Sequence, residues 1–264
     1  MPVPVHRHVP ATDTEEDPLL PRSVRAMRRQ LTRLPEAGGA TEGLTEHHGP
    51  GPARPPLRLV MIGDSVAAGV GAPALGEALA GHLAAALTRM TGRPVSWRVS
   101  ARAGATLPYV RRSLLTGLTD PTSRWTPDLV LVVAGTNDAL RLCRPRAFRA
   151  EARRLVRDIR LRLGDDVPVV FTGLPDLRGV EGLPAAMRAP LGQYVRLLDR
   201  QLLALARQDP GVHHLYSGGM PEIPGSWIAE DRFHPSPEGY RAWARVLAGR
   251  LSTLTETLLP DPVR

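Results

Sequence analysis

From Leu57 onward the chain alternates between short runs rich in β-branched and other apolar residues and longer stretches whose apolar residues recur every three or four positions. "LRLVMI", "VSWRVSA", "LVLVVAG", "VPVVFTG" and the weaker "VHHLYS" belong to the first kind and read as short buried strands. Segments 74–91, about 107–116, 145–163, 186–208 and 236–258 carry helical periodicity; in the third of them Phe148, Ala152, Leu155 and Ile159 define one face. Strands buried on both sides and alternating with helices predict a parallel sheet covered on both faces. Ligands of such a sheet sit beyond the carboxyl ends of its strands.

The pattern fails before Leu57. Residues 1–56 are rich in Pro, Gly, Thr and acids, end in "HHGPGPARPP", and hold too few large apolar residues to build a core. They predict a largely disordered N-terminal segment, dispensable for chemistry, ahead of one catalytic domain at 57–264. The exception is 19–34, where Leu20, Val24, Met27, Leu31 and Leu34 alternate in spacings of four and three with arginines between them. This predicts a short basic amphipathic helix, which either packs on its own domain, is solvated, or makes a peripheral membrane or protein contact. The opening "MPVPVHRHVPATDTEEDP" has prolines and acids where a signal peptide needs an apolar core, and no run approaches the roughly 18 apolar residues of a membrane span. The expected location is cytoplasmic.

Composition and charge change the picture in three ways. All 34 basic residues are arginine, which excludes Schiff-base lysine chemistry and the G-x-x-x-x-G-K-[ST] phosphate loop. Cys143 is the only cysteine, so no intrachain disulfide or thiolate metal cluster can form. The net charge of +8 includes nine arginines in 141–162 against Glu151 and Asp158. That segment is either a solvated helix face or the basis of an alternative function in binding an anionic surface or nucleic acid. No aromatic residues interleave with it as a single-strand platform would need, so nucleic acid is not an expected partner.

The candidate chemistry centres on "MIGDSVAAGVGAP", where the first long apolar run ends in Gly-Asp-Ser. "GVGAPA" fits a loose dinucleotide loop, but the second strand ends in "VSARAG", without the acid that would bind a ribose. A nucleophilic serine needs a base, a group to orient it and donors for an oxyanion, all at strand ends. "DRFHPSPEG" supplies Asp231 and His234 in one turn, followed by Ser236 as helix cap and Pro237 at the first helical position. "VVAGTNDAL" supplies the amide of Asn137, and "ARAGATL" the unencumbered N–H of Gly104. G-x-S-x-G would need glycine at Ala67, so this is not the α/β-hydrolase elbow. Asp64 and Asp138 read as acceptors for loop N–H groups. His6, His8, His47, His48, His82, His213 and His214 lack ligand partners at metal spacing.

Four strand ends thus contribute one part each, and with these residues the chain resembles the SGNH (GDSL-type) hydrolases. Their four name-giving residues match Ser65 in "GDSVAAG", Gly104 in "ARAGAT", Asn137 in "GTND" and His234 in "DRFH", in order, over about 57–250. Val66 departs from the leucine or polar residue that many members carry after the serine. The resemblance implies a flavodoxin-like three-layer α/β/α fold with five parallel strands in the order 2-1-3-4-5, and no metal or organic cofactor. It implies an oxyanion hole of Ser65 N–H, Gly104 N–H and the Asn137 amide, and it makes Asp231 the acid partner of His234. The expected function is a serine esterase acting on a small-molecule ester: of a lipid, a sugar or another metabolite. Substrate choice falls to two long loops. Leu174, Leu177, Leu183 and Met187 in one, and Ile223, Trp227 and Ile228 in the other, either line an acyl pocket or form local core.

Overall fold

A computed structural model describes residues 34–49, 54–119, 122, 125–216 and 224–258. Its strands are β1 (Glu42–Thr45), β2 (Leu57–Gly63), β3 (Val95–Ala101), β4 (Leu129–Val133), β5 (Val169–Thr172) and β6 (Val212–Leu215). The main helices are α1 (Leu79–Thr91), α2 (Pro145–Leu163), α3 (Ala185–Ala206) and α4 (Pro237–Leu258). The six strands form one sheet in the order β1-β3-β2-β4-β5-β6. β2 to β6 are parallel and reproduce the expected 2-1-3-4-5 order.

Alternation along the strands decides which helix covers which face. Leu57, Leu59 and Met61 of β2 join Leu131 and Val133 of β4 under α1 and α4, which contribute Leu83, Leu87, Tyr240, Leu247 and Leu251. Val60, Ile62, Val130, Val132 and Phe171 point the other way, onto Phe148, Leu155 and Ile159 of α2 and Val195, Leu198 and Leu202 of α3. The expected helix at 107–116 is present as a helical segment whose pitch changes along its length: α at Leu107–Tyr109, π at Val110–Leu114 and 3-10 at Leu115–Leu118.

The sheet departs from the expected five parallel strands. β1 adds a sixth, antiparallel to β3, with Gly43 opposite Trp97. A side chain at residue 43 would lie 2.7 Å from the indole, so glycine is what lets β1 close on that edge. This corrects the expectation of disorder for the part of 1–56 that is described. A four-residue edge strand with a half-exposed pattern needs no core of its own; ladder hydrogen bonds to β3 suffice. The predicted helix at 19–34 lies outside the described residues, Leu34 excepted. Among the described residues, no helix is long and apolar enough to cross a membrane.

Candidate active site

β2 delivers Ser65 to the carboxyl edge of the sheet. At Gly63 a Cβ would fall 2.0 Å from the Val133 carbonyl oxygen, and Asp64 N–H donates to that oxygen at 2.9 Å. The backbone then coils, with Ala68 N–H donating to Asp64 and Val70 N–H to Ser65. Gly69 and Gly71 have φ of +71° and +97°. Neither opens toward a phosphate-sized space: a Cβ on Gly69 would strike Ala37 and Ala78, and one on Gly71 would lie 2.3 Å from the Pro235 carbonyl oxygen. Gly71 therefore lets the serine loop and the histidine turn approach each other, and Gly69 lets the same loop close on Ala37 and Ala78.

The turn before α4 is organised by Asp231. Its Oδ1 accepts from the N–H groups of Phe233 and His234, both at 2.9 Å, and its Oδ2 lies 2.5 Å from His234 Nδ1. His234 Nε2 lies 2.9 Å from Ser65 Oγ. With Nδ1–H given to the carboxylate, Nε2 presents its lone pair to the serine hydroxyl. Burial opposes ionisation of Asp231, but His234 and the two N–H donors outweigh it and hold the carboxyl below its ordinary range. Arg232, at φ +55°, takes the left-handed bend of this turn. Ser236 caps α4 as expected, its Oγ accepting from Gly239 N–H at 3.2 Å.

Gly104 lies in the tight turn after β3, with φ +79°. Arg102 N–H donates to Gly63, Ala103 N–H to the Glu36 carboxylate and Ala105 N–H to Arg102. Among the described residues no acceptor faces the N–H of Gly104, nor that of Ser65. Asn137, in the helical turn Thr136–Leu140 after β4, donates from Nδ2 to the Ala105 carbonyl at 3.1 Å. One of its two amide hydrogens remains.

Asp64 and Asp138 act as the loop acceptors expected of them: Asp64 takes Val66 N–H at 3.1 Å, and Asp138 takes Leu107 N–H at 3.0 Å. Burial raises both carboxyls from 3.8 to about 7. Below about pH 7 both are therefore mainly protonated, which keeps negative charge away from the loops that carry Ser65 and Asn137.

The long loops resolve toward packing. Leu174, Leu177 and Leu183 are buried in the core on the α2 and α3 side, and Met187 packs against that core. Leu174 also faces Gly135, where a Cβ would meet it at 2.8 Å. Leu177 and Leu183, at 2% and 1% exposed, offer no surface to an acyl chain. Trp227 and Ile228 are half-buried beside the His234 turn, and Ile223 lies outside the described residues. In the arginine-rich segment, Arg154 pairs with Glu151, Arg157 with Asp158 and Arg160 with Asp209, while Arg111 grips both Glu151 and Asp158 from the helical segment after β3. Among the described residues no three His, Cys, Asp or Glu side chains converge to hold a metal ion.

The GDSL-like Lipase/Acylhydrolase family matches residues 61–242. A GDSL-like esterase of Mycobacterium tuberculosis is 29% identical over 210 residues, 76% of this chain; the chain spans 64% of that relative's length. Among solved structures, a family 3 carbohydrate esterase of Clostridium thermocellum superposes with a TM-score of 0.61 at 16% identity, covering 77% of this chain and 99% of that one. A lipase/acylhydrolase of Enterococcus faecalis gives 0.54 at 18% identity, covering 75% and 96%. At these identities the two structures speak to the fold.

Proposed function

The chain belongs to the GDSL-like lipase/acylhydrolase family, and on that premise we propose that it is a serine esterase whose nucleophile is Ser65. His234, oriented by Asp231, takes the Ser65 proton as Oγ attacks the ester carbonyl. The oxyanion is held by Ser65 N–H, Gly104 N–H and the second amide hydrogen of Asn137. His234 then protonates the leaving alcohol, and water, activated by the same imidazole, releases the acid and restores Ser65. The observation that carries this reading is the line from Asp231 through His234 to Ser65, at 2.5 and 2.9 Å, with the N–H groups of Ser65 and Gly104 both lacking an acceptor among the described residues. The substrate class is a small-molecule carboxylic ester.

A panel of p-nitrophenyl esters from acetate to palmitate, with Ser65→Ala as the blank, tests it. Hydrolysis that disappears in a folded Ser65→Ala protein supports the reading, and its chain-length profile identifies the acyl group. Undiminished turnover in that variant refutes it.

A further inference from the structure

The segment ahead of the family's matched region reaches the site. Ala37 N–H donates to Ala68 at 2.9 Å, Gly38 N–H to Pro73 at 3.0 Å, and Leu75 N–H returns to Gly38 at 3.0 Å. Residues 37 and 38 are thereby stitched along the loop that carries Ser65. Ala37 also fills the space left by Gly69, where a Cβ would sit 2.7 Å from its own. From this anchor Glu36 crosses to the next loop, where its Oε1 accepts from Ala103 N–H at 2.7 Å.

That bond occupies an informative place. In the turn after β3, the N–H groups of Arg102 and Ala105 donate to Gly63 and Arg102, and that of Ala103, among the described residues, only to Glu36. Its neighbour Gly104, at a left-handed φ of +79°, carries the N–H of this turn that meets no acceptor among the described residues. The Gly104 N–H lies in the Ala103–Gly104 peptide, whose tilt follows the planes on either side of it: the Arg102–Ala103 peptide, which carries the Ala103 N–H, and the Gly104–Ala105 peptide, whose N–H donates to Arg102. Asn137 braces the far side of the turn through the Ala105 carbonyl at 3.1 Å. Glu36 braces the near side.

We propose that Glu36 is a positioning residue for the reaction, one that fixes the Gly104 N–H toward the oxyanion by holding Ala103 N–H, so that residues 36–38 couple the serine loop to the glycine turn. This rests on the oxyanion role given to Gly104 above. It also replaces, for these residues, the expectation that everything before residue 57 is dispensable for chemistry. Arg102 Nε forms an ion pair with Glu36 Oε1 at 3.9 Å, beyond hydrogen-bond range, so Ala103 N–H is the hydrogen-bond donor this oxygen meets and Glu36→Gln separates the acceptor from the charge.

The test uses the full chain carrying Glu36→Ala or Glu36→Gln, assayed on a soluble short-chain p-nitrophenyl ester, with Ser65→Ala alongside. Glu36→Ala is expected to lower kcat about ten-fold, less than the 10²–10³ seen on deleting an oxyanion donor, with KM and Tm little changed. Affinity for a boronic acid, which forms a tetrahedral adduct on the serine, should fall by the same factor. Glu36→Gln, whose amide oxygen still accepts from Ala103 N–H, should restore most of kcat. Wild-type kcat in Glu36→Ala, or equal loss in the Gln variant, overturns the proposal. Activity that survives Ser65→Ala refutes the serine mechanism itself, whatever the Glu36 variants do.

Discussion

Asp138→Asn should stabilise the protein, and by an amount that depends on pH. The folded carboxyl is raised from 3.8 to about 7 by burial, while an unfolded Asp138 ionises near its ordinary value. Between those two values folding takes up a proton, so the native state loses stability as pH rises, and the loss levels off above about pH 7. Roughly three units at ~1.4 kcal/mol each give about 4 kcal/mol of accumulated destabilisation at pH 8, of which about 3 kcal/mol develops between pH 5 and 8. The amide has no charge to desolvate, and its oxygen can keep the Leu107 N–H bond that Asp138 makes at 3.0 Å. Urea unfolding of both proteins at half-unit steps from pH 5 to 8, with the m-value checked for constancy, gives the difference directly. Two curves that run parallel across this range would refute the argument that Asp138 is a neutral acid held in a dry site. A difference that shrinks as pH rises would refute its sign.

His234→Ala should reduce kcat nearly as far as Ser65→Ala, by about 10⁴-fold or more, and Asp231→Asn by less, because the carboxylate acts through the imidazole; steady-state kinetics on one soluble ester decides it. Asn137→Ala should lower kcat about 10² to 10³-fold with KM little changed. It should also lose about 1 kcal/mol of stability, because the same amide holds the Ala105 carbonyl; near-wild-type kcat would remove it from the site. Gly71→Ala places a Cβ 2.3 Å from the Pro235 carbonyl oxygen at a φ of +97°. It should destabilise by about 2 kcal/mol or more and reduce kcat by displacing the adjacent His234, measured as urea midpoint and turnover on the same preparation.

Much of this architecture is legible in the sequence because burial writes itself as periodicity. β3 and α2 fall on the segments their patterns predict, 95–101 and 145–163. Both are long, and both bury a defined set of residues. β1 escapes that logic: "EGLT" has no apolar run, and its reason for being a strand lies in the bare edge of β3 and the ring of Trp97. Glu36 escapes for a related reason, since a carboxylate in a Pro- and Gly-rich stretch carries no pattern until the Ala103 N–H it meets is known. Leu174, Leu177 and Leu183 show the opposite limit. Apolar residues in a long loop look the same whether they face a ligand or a helix, and here they face the core. The placement of Ser65, Gly104, Asn137 and His234 at one edge of the sheet is legible because each follows a strand or precedes a capped helix, so chain order sets their edge before any distance is known.

The contact between Ser65 and His234 joins residues 169 positions apart, one after β2 and the other just before α4. Closing so long a loop depends on every crossover between them, and contacts of this separation form late and slowly during folding. Turnover is therefore a global reporter: an intermediate with a native-like central β2–β4 pair and most of its helical content would still be silent in an ester assay. Refolding followed by circular dichroism and by hydrolysis should separate in time, with activity returning only when α4 has docked beside the loop that follows β2.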